Sequence, residues 1–377
     1  MLLKEITNIL ENWCPLNSAE EFDNVGLLVG NSNEIITKAM ITIDTTEEVV
    51  DEAIKNDCNL IITNIRNSLY DLDIFKSHSF NVPLVGVGNI SSGGTGKTPF
   101  VEYLLKKYSK TFKTVLISRG YKRSSKGFQK ANRSSSPLSI GDEPYQIFKK
   151  FKNIQVAVDK NRVNAVSKIL NDNPDTNLVL LDDSFQHRKI RPKLNILLTT
   201  YNNPFFNDHI LPIGSLRESK SSYKRADILI VTKCPEKIDI IKLKSQLNTK
   251  PYQNLFFTKI SYNSILKGDY KQDINSLKKQ KIFLVTGIAD SSKFINFFKK
   301  NEIDFDHYSF SDHHNYTQKE INKIENSGDN LIITTEKDFQ KIQFLDRKNK
   351  WSYLEIEVKF LQNEDEFDDL FRKKISM

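Results

Sequence analysis

Apolar positions along this chain alternate between short continuous runs and helical spacing. Leu2, Ile6, Ile9, Leu10 and Trp13 recur at helical spacing and predict an opening helix. Two strand-like runs follow, Val25 to Val29 and Ala39 to Ile43. Thr45-Thr46-Glu47-Glu48 is a capping-box pattern, ahead of a helix with Val49, Val50, Ala53 and Ile54 on one face. Asn59 to Thr63 completes a small β-α-β piece.

A second series starts near Asn64. Pro83 to Gly88 is a short apolar strand, followed by a glycine-rich turn and a helix through Val101, Leu104 and Leu105. Further strand runs are Thr114 to Ser118, Ile154 to Val158, Leu178 to Leu181, Ile196 to Thr199, Ile228 to Thr232, Ile282 to Thr286 and Leu331 to Thr334. Helical patterns separate most of them, which predicts an α/β fold with a doubly wound, mostly parallel sheet. Tyr121 to Ser136 is polar, basic and Ser-rich, and reads as a mobile loop. Sparse apolar patterning between Glu236 and Lys281 places a lobe boundary there. The expected divisions are 1–63, a short β-α-β appendage; 64–235, the main sheet; and 236–377, a smaller α/β lobe.

Composition narrows the class. The 377 residues are 38% hydrophobic, with 24 Phe and 13 Tyr, enough for a packed core. A net charge of +8 suggests an acidic partner, either a nucleotide, an anionic lipid or a nucleic acid. No RNP-like aromatic strand or zinc-finger spacing accompanies the charge, so nucleic acid is not expected. The three cysteines are scattered without a CxxC pair, which argues against a disulfide framework or structural zinc and fits a reducing cytoplasm. The N-terminus has no apolar signal region, and no apolar run approaches the roughly 20 residues that span a bilayer. A soluble or peripheral protein is expected.

The chemistry concentrates after the strand ending at Gly88. Gly93-Gly94-Thr95-Gly96-Lys97-Thr98 leads into a helix, the order of a P-loop, where backbone amides and the helix N-terminus face phosphate oxygens. Lys97 is placed to reach the β- and γ-phosphates of ATP, and Thr98 to ligate Mg²⁺. The general pattern asks for glycine at position 91, where this chain has Ser91. Leu178-Val179-Leu180-Leu181-Asp182-Asp183 is an apolar strand ending in two acids, which beside a P-loop reads as a magnesium site; a helix cap or turn is the alternative.

Several runs then occur in order: Val87-Gly88-Asn89-Ile90-Ser91-Ser92 ahead of the loop, Ser118-Arg119-Gly120-Tyr121, Gly141-Asp142-Glu143-Pro144 and Asp182-Asp183-Ser184-Phe185-Gln186-His187. Leu211-Pro212-Ile213-Gly214-Ser215-Leu216-Arg217-Glu218 and Asp312-His313-His314 follow. From about Asn64 onward the chain resembles the tetraacyldisaccharide 4'-kinase family, whose loop also lacks the first glycine. The resemblance implies transfer of the ATP γ-phosphate to the 4'-hydroxyl of an acylated glucosamine disaccharide 1-phosphate in lipid A biosynthesis. It implies a peripheral position on the cytoplasmic face of the bacterial inner membrane, and places the nucleotide on Ser91 and Gly93 to Thr98.

In that reading Asp142 is the proton acceptor, with a helix N-cap before Pro144 as its alternative role, and His313 orients it, with a plain surface histidine as the alternative. Thr98, Asp182 and Asp183 hold magnesium. Arg119, Tyr121, His187 and Arg217 contact substrate, though a structural hydrogen bond competes for His187. Lys122, Arg123 and Lys126 in the basic loop meet the lipid phosphate or an anionic membrane, and Thr334 to Asp338 approaches the nucleotide base. A P-loop regulatory or metal-delivery NTPase is the competing reading, since it needs the same loop and acids.

The resembling kinases begin with an apolar membrane helix, absent here. Residues 1–63 instead resemble the start of the GTP cyclohydrolase 1 type 2 homolog family, through Asp23-Asn24-Val25-Gly26-Leu27-Leu28-Val29-Gly30, Ile43-Asp44-Thr45-Thr46 and Asn59-Leu60-Ile61-Ile62. That family continues with a His-His-Pro metal motif; Thr63-Asn64-Ile65-Arg66 stands here instead, so no metal pair is expected.

Overall fold

The computed structural model of the chain describes residues 1–13, 27, 30–42, 47–62, 70, 75–211, 213–288, 290–312 and 314–376. The first of these form helix α1 (Leu3–Trp13), strand β1 (Ala39–Ile41), helix α2 (Glu47–Lys55) and strand β2 (Leu60–Ile62). β1 and β2 pair in parallel as a sheet of their own. The Asn59 side chain fastens the entry to β1, accepting from the Thr37 and Lys38 amides and donating to the Ile35 carbonyl. Thr45 of the capping box, the Val25 to Val29 run apart from Leu27, and Thr63 to Arg66 lie outside the described residues.

The main sheet follows from continuous apolar runs that bury both strand faces, which parallel strands covered by helices require. In chain order the elements are β3 (Leu84–Gly88), α3 (Lys97–Tyr108), β4 (Thr114–Ser118), β5 (Gln129–Lys130), α4 (Pro137–Ile140), α5 (Asp142–Lys150), β6 (Gln155–Val158) and α6 (Arg162–Asp172). β7 (Leu178–Asp182), β8 (Leu194–Thr200), β9 (Ile228–Thr232), α7 (Ile240–Leu247) and β10 (Asn254–Tyr262) continue it. A second group comprises β11 (Lys267–Gly268), β12 (Ile282–Thr286), α8 (Ser292–Lys300), β13 (Phe305–Ser309), α9 (Gln318–Asn326), β14 (Ile332–Thr335), α10 (Glu336–Ile342) and β15 (Trp351–Leu354). The chain then returns through β16 (Ile356–Phe360) to α11 (Glu364–Ser376).

Nine strands order as β16-β10-β9-β8-β3-β7-β4-β6-β5, parallel except at the two edges, and five as β11-β15-β14-β12-β13. The second sheet is thus an insertion over 267–354, not the whole of 236–377 as the patterning suggests. β10 and β16 pair with each other inside the large sheet, and α11 packs on α3. β10 escaped the patterning because its apolar start, Leu255-Phe256-Phe257, passes into the alternating Thr258-Lys259-Ile260-Ser261. Phe367, Phe371 and Ile375 of α11, four residues apart, are buried, and the Phe371 ring stacks on Tyr108 of α3 at 4.1 Å between centroids.

The basic stretch from Tyr121 to Ser136 is tied down by hydrogen bonds instead of hanging as a loose loop. β5 pairs antiparallel with β6, the Ser124 amide donates to the Leu138 carbonyl, and Arg123 donates to the Gly127 carbonyl at 2.6 Å. Among the described residues no helix is long and apolar enough to cross a membrane.

A buried charge cluster joins the sheets. Lys150, the last residue of α5, donates to Glu102 of α3 at 2.7 Å and Glu336 of α10 at 2.8 Å, and stands 3.4 Å from Glu355, between β15 and β16. Burial, then Glu102, push the Glu336 carboxyl up to about 7, and burial also raises Glu102. Lys150 is the cation that Glu102 and Glu336 share, while Glu355 also pairs with Lys267 at 2.7 Å, so losing Lys150 would leave two buried acids uncompensated. Lys150→Met should therefore cost about 3–5 kcal/mol in urea unfolding, whereas Lys113→Met, which breaks an exposed pair with Asp175, should cost under about 1 kcal/mol. Equal losses would refute the role given to Lys150.

Candidate active site

Strand order reverses beside β3, whose neighbours are β7 and β8, and in open parallel sheets the crevice at such a point receives ligands. The glycine-rich segment leaves β3 there and α3 begins at Lys97. Gly96, at φ 88°, and Gly93, at φ 94°, take left-handed backbone that side chains rarely adopt, and so turn the chain into the helix. Ser91 is buried and bridges to Leu216, while the Ser92 amide donates to the Ser215 carbonyl at 2.6 Å. Thr95 is buried, its carbonyl accepting from Thr232 of β9 at 2.7 Å. A methyl group built on Gly94 would lie 3.9 Å from the Lys233 ammonium, so a second cation stands beside the loop.

Beneath the loop the polar groups form one connected set. Asn89, fully buried, donates to the Ser91 carbonyl and the Thr95 hydroxyl, and its Oδ1 accepts from Lys97 at 3.1 Å and Arg217 at 2.6 Å. Both cations converge on Asp183 Oδ1, Lys97 at 3.4 Å and Arg217 at 3.2 Å. Burial alone would raise the Asp183 carboxyl, but Lys97 and Arg217 hold it well below the usual carboxylate range. Arg217, read from the sequence as a substrate contact, thus stands under the phosphate loop on Asp183 and Asn89. Its neighbour Glu218 is fully buried and anchored by Gln186, Ser222 and Arg225.

Asp182 ends β7 in a different environment. Its Oδ2 accepts from Ser118 at 3.2 Å, and its buried Oδ1 has no hydrogen-bond partner among the described residues. Burial, then Glu143 and Asp183, push its carboxyl up to about 7. Arg162, whose own guanidinium burial pulls down to about 10, donates to the Asp182 backbone carbonyl at 3.3 Å. A buried carboxylate oxygen with no donor, near Glu143 and Asp183, fits a divalent cation. Thr98 is the second residue of α3 and half-buried.

Asp142 opens α5, with Gly141 as the residue before it. Gly141 packs so closely on Gly120 that a methyl group there would stand 3.1 Å from Gly120 backbone atoms, which seats the Arg119-Gly120-Tyr121 turn against the Asp142 turn. Arg119 is exposed and close enough to depress Arg162, and Tyr121 is exposed with Lys122 over its ring. Asp142 pairs with Lys341 of α10 at 2.8 Å. His313 lies outside the described residues. His187 is half-buried and lines an open cavity of ≈ 800 Å³ with Tyr70, Lys76, Arg188, Arg191 and Lys193.

The Thr334 to Asp338 run, read from the sequence as near the nucleotide base, ends β14 and opens α10. Thr335 caps α10, Glu336 meets Lys150, and Asp338 accepts from the Gly287 amide at 2.9 Å. Asn89, Arg162 and Lys341 carry no sequence signal of their own. Asn89 was legible only as the residue after a strand, and Arg162 and Lys341 become visible once their elements are packed.

Comparison with known proteins agrees with this geometry. Residues 59–376 match the family model described as tetraacyldisaccharide-1-P 4'-kinase, and residues 1–64 match the Duf34/NIF3 (NGG1p interacting factor 3) model, where the sequence resembles the GTP cyclohydrolase 1 type 2 homologs. A tetraacyldisaccharide 4'-kinase of Flavobacterium psychrophilum is 43% identical over 315 residues, 81% of this chain and 91% of the relative. One from Bacteroides fragilis is 42% identical over 322 residues, 80% of this chain and 86% of the relative. The crystal structure of LpxK from Aquifex aeolicus in complex with ATP superposes with a TM-score of 0.67 at 29% identity, covering 83% of this chain and 94% of that one. A P-loop whose glycine at position 91 is replaced by serine, two acids at the end of the neighbouring strand and relatives of this closeness lead to one assignment: the chain belongs to the tetraacyldisaccharide-1-P 4'-kinase family.

Proposed function

We propose that this chain transfers the γ-phosphoryl group of ATP to the 4'-hydroxyl of a tetraacylated glucosamine disaccharide 1-phosphate. The observation that carries the proposal is the convergence of Lys97 and Arg217 on Asp183 under the glycine-rich loop. Two cations held there by a carboxylate and Asn89 form a ready anion site. When the nucleotide enters, its phosphate oxygens take over donors that Asp183 and Asn89 now occupy. Mg²⁺, held by Thr98 and Asp182 with Asp183 behind them, would neutralise charge on the phosphates.

A sugar hydroxyl is a weak nucleophile, so its proton must leave as the new bond forms. Asp142 accepts that proton, the hydroxyl oxygen bonds to the γ-phosphorus, and the bond from that phosphorus to the bridging oxygen breaks, releasing ADP. Arg119 and Tyr121, seated against Asp142 by the Gly120–Gly141 contact, orient the acceptor. His187 and the cations of its cavity, Lys76, Arg188, Arg191 and Lys193, suit the acceptor's phosphate or an anionic inner-membrane surface on the cytoplasmic side.

Three outcomes test this. With labelled ATP and the acylated disaccharide 1-phosphate, Asp142→Asn should lower turnover about 10²–10⁴-fold with nucleotide affinity nearly unchanged, and Lys97→Ala should lose both. ATP hydrolysis that ignores the lipid would instead favour the regulatory NTPase. Asp182→Asn removes a carboxyl that burial disfavours, so its melting temperature at pH 8 should be no lower than the parent's while metal-dependent transfer is lost; a large drop in melting temperature would contradict the cation-site reading. Removal of residues 1–63, which form their own small sheet, should leave nucleotide binding intact by fluorescence titration, and loss of binding would make that segment integral to the core.

A further inference from the structure

Helices α5 and α10 cross with opposite polarity, and each end of the crossing is closed by an ion pair. Lys150 at the C-terminal end of α5 meets Glu336 at the N-terminal end of α10, and Lys341 near the end of α10 meets Asp142 at the start of α5. All four charges suit the dipole of the helix end they occupy. Two of them are accounted for by the buried cluster. The other pair is different, because Asp142 opens toward the Arg119–Tyr121 turn and carries the proposed chemistry.

Lys341 is only 10% exposed, and its ammonium donates to two groups: Asp142 Oδ2 at 2.8 Å and the His314 carbonyl at 3.1 Å. Lys337, one turn earlier on α10, meets Asp312 at 3.3 Å. One face of α10 therefore holds Asp312, the His314 carbonyl and the Asp142 carboxylate together. α10 belongs to the inserted sheet, while Asp142 belongs to the large one, so the contact crosses from one to the other.

We infer that Lys341 is a positioning residue for phosphoryl transfer: it fixes the Asp142 carboxylate in one orientation from the inserted lobe. The inference rests on Asp142 as the proton acceptor. A carboxylate on the first turn of a helix has rotamer freedom, and a fixed point charge on one oxygen removes it. Lysine suits the task, since a single ammonium with rotatable donors can serve a carboxylate and a backbone carbonyl at once. Loss of a positioning contact of this kind costs on the order of 10²-fold in rate.

The test uses the full chain with ATP and the acylated disaccharide 1-phosphate, on Lys341→Gln, Lys341→Arg, Asp142→Asn and the double variant Asp142→Asn with Lys341→Gln. Lys341→Gln keeps a donor for the His314 carbonyl but removes the charge. Its kcat should fall about 10²-fold with KM for ATP within about threefold, and Lys341→Arg should recover most of that loss. The double variant should be no slower than Asp142→Asn alone, because Lys341 acts through Asp142. Circular dichroism and fluorescent-nucleotide affinity check that each variant is folded; if Lys341→Gln is not, the arginine variant and the melting temperature decide, since a merely structural lysine would lose stability and not kcat. Wild-type kcat in Lys341→Gln, with Asp142→Asn inactive, would overturn the positioning role alone. A further loss in the double variant, equal to that in Lys341→Gln, would also overturn it. Full activity in Asp142→Asn would overturn the proton-acceptor reading and this inference with it.

Discussion

Four segments meet at Lys150. The helix behind the phosphate loop, the helix that Asp142 opens, the first turn of α10 and the link from β15 to β16 each bring a charge to one buried point. Glu102 and Glu336 share that cation, which ties α3, α5 and α10 to one another. α3 and α5 both point their N-termini at the same edge of the sheet. Lys97 and Asp142 therefore open two helices that are tied together by the pairing of Glu102, midway along α3, with Lys150 at the end of α5. The inserted lobe enters through the same cluster and brings Lys341 to Asp142.

At the edge itself, two adjacent carboxylates have opposite electrostatic fates. Asp183 is surrounded by Lys97 and Arg217 and stays ionised; Asp182, with Glu143 and Asp183 nearby and an oxygen lacking a donor, is driven toward its protonated form. The asymmetry comes from backbone geometry. Asp182 is the last strand residue and faces inward, whereas Asp183, at φ 46°, turns out beneath the loop. A non-glycine residue in that conformation costs energy, tolerated here where the chain places a charge for function.

Much of this was legible in the residues. Continuous apolar runs marked β3, β4, β7 and β9, because strands buried on both faces have no polar face to obscure them. The glycine-rich loop and the acids that end β7 were legible because each is carried by a short contiguous run of residues. β10, whose alternating second half resembles an exposed edge, was not, and neither was the return of β16 and α11 to the large sheet. Such pairing depends on long-range packing that local patterning does not encode. Arg217 shows the same limit: its type suggested an anion contact, but only the bridge between Ser91 and Leu216 puts it under the phosphate loop. Tyr121 to Ser136 looked mobile from composition, yet Arg123 donates to the Gly127 carbonyl within the loop, and Ser124 and Ser125 donate to the Leu138 and Ser139 carbonyls of α4.

The central claim is that the loop at Gly93 to Thr98 delivers phosphate to a sugar hydroxyl and not to water. Phosphorus NMR of the acylated disaccharide 1-phosphate after incubation with ATP and the full chain tests it most directly. Transfer to the sugar gives a second phosphomonoester resonance coupled to the proton on carbon 4', formed in step with ADP, with the 1-phosphate retained. Inorganic phosphate formed in step with ADP, beside unaltered lipid, would contradict it.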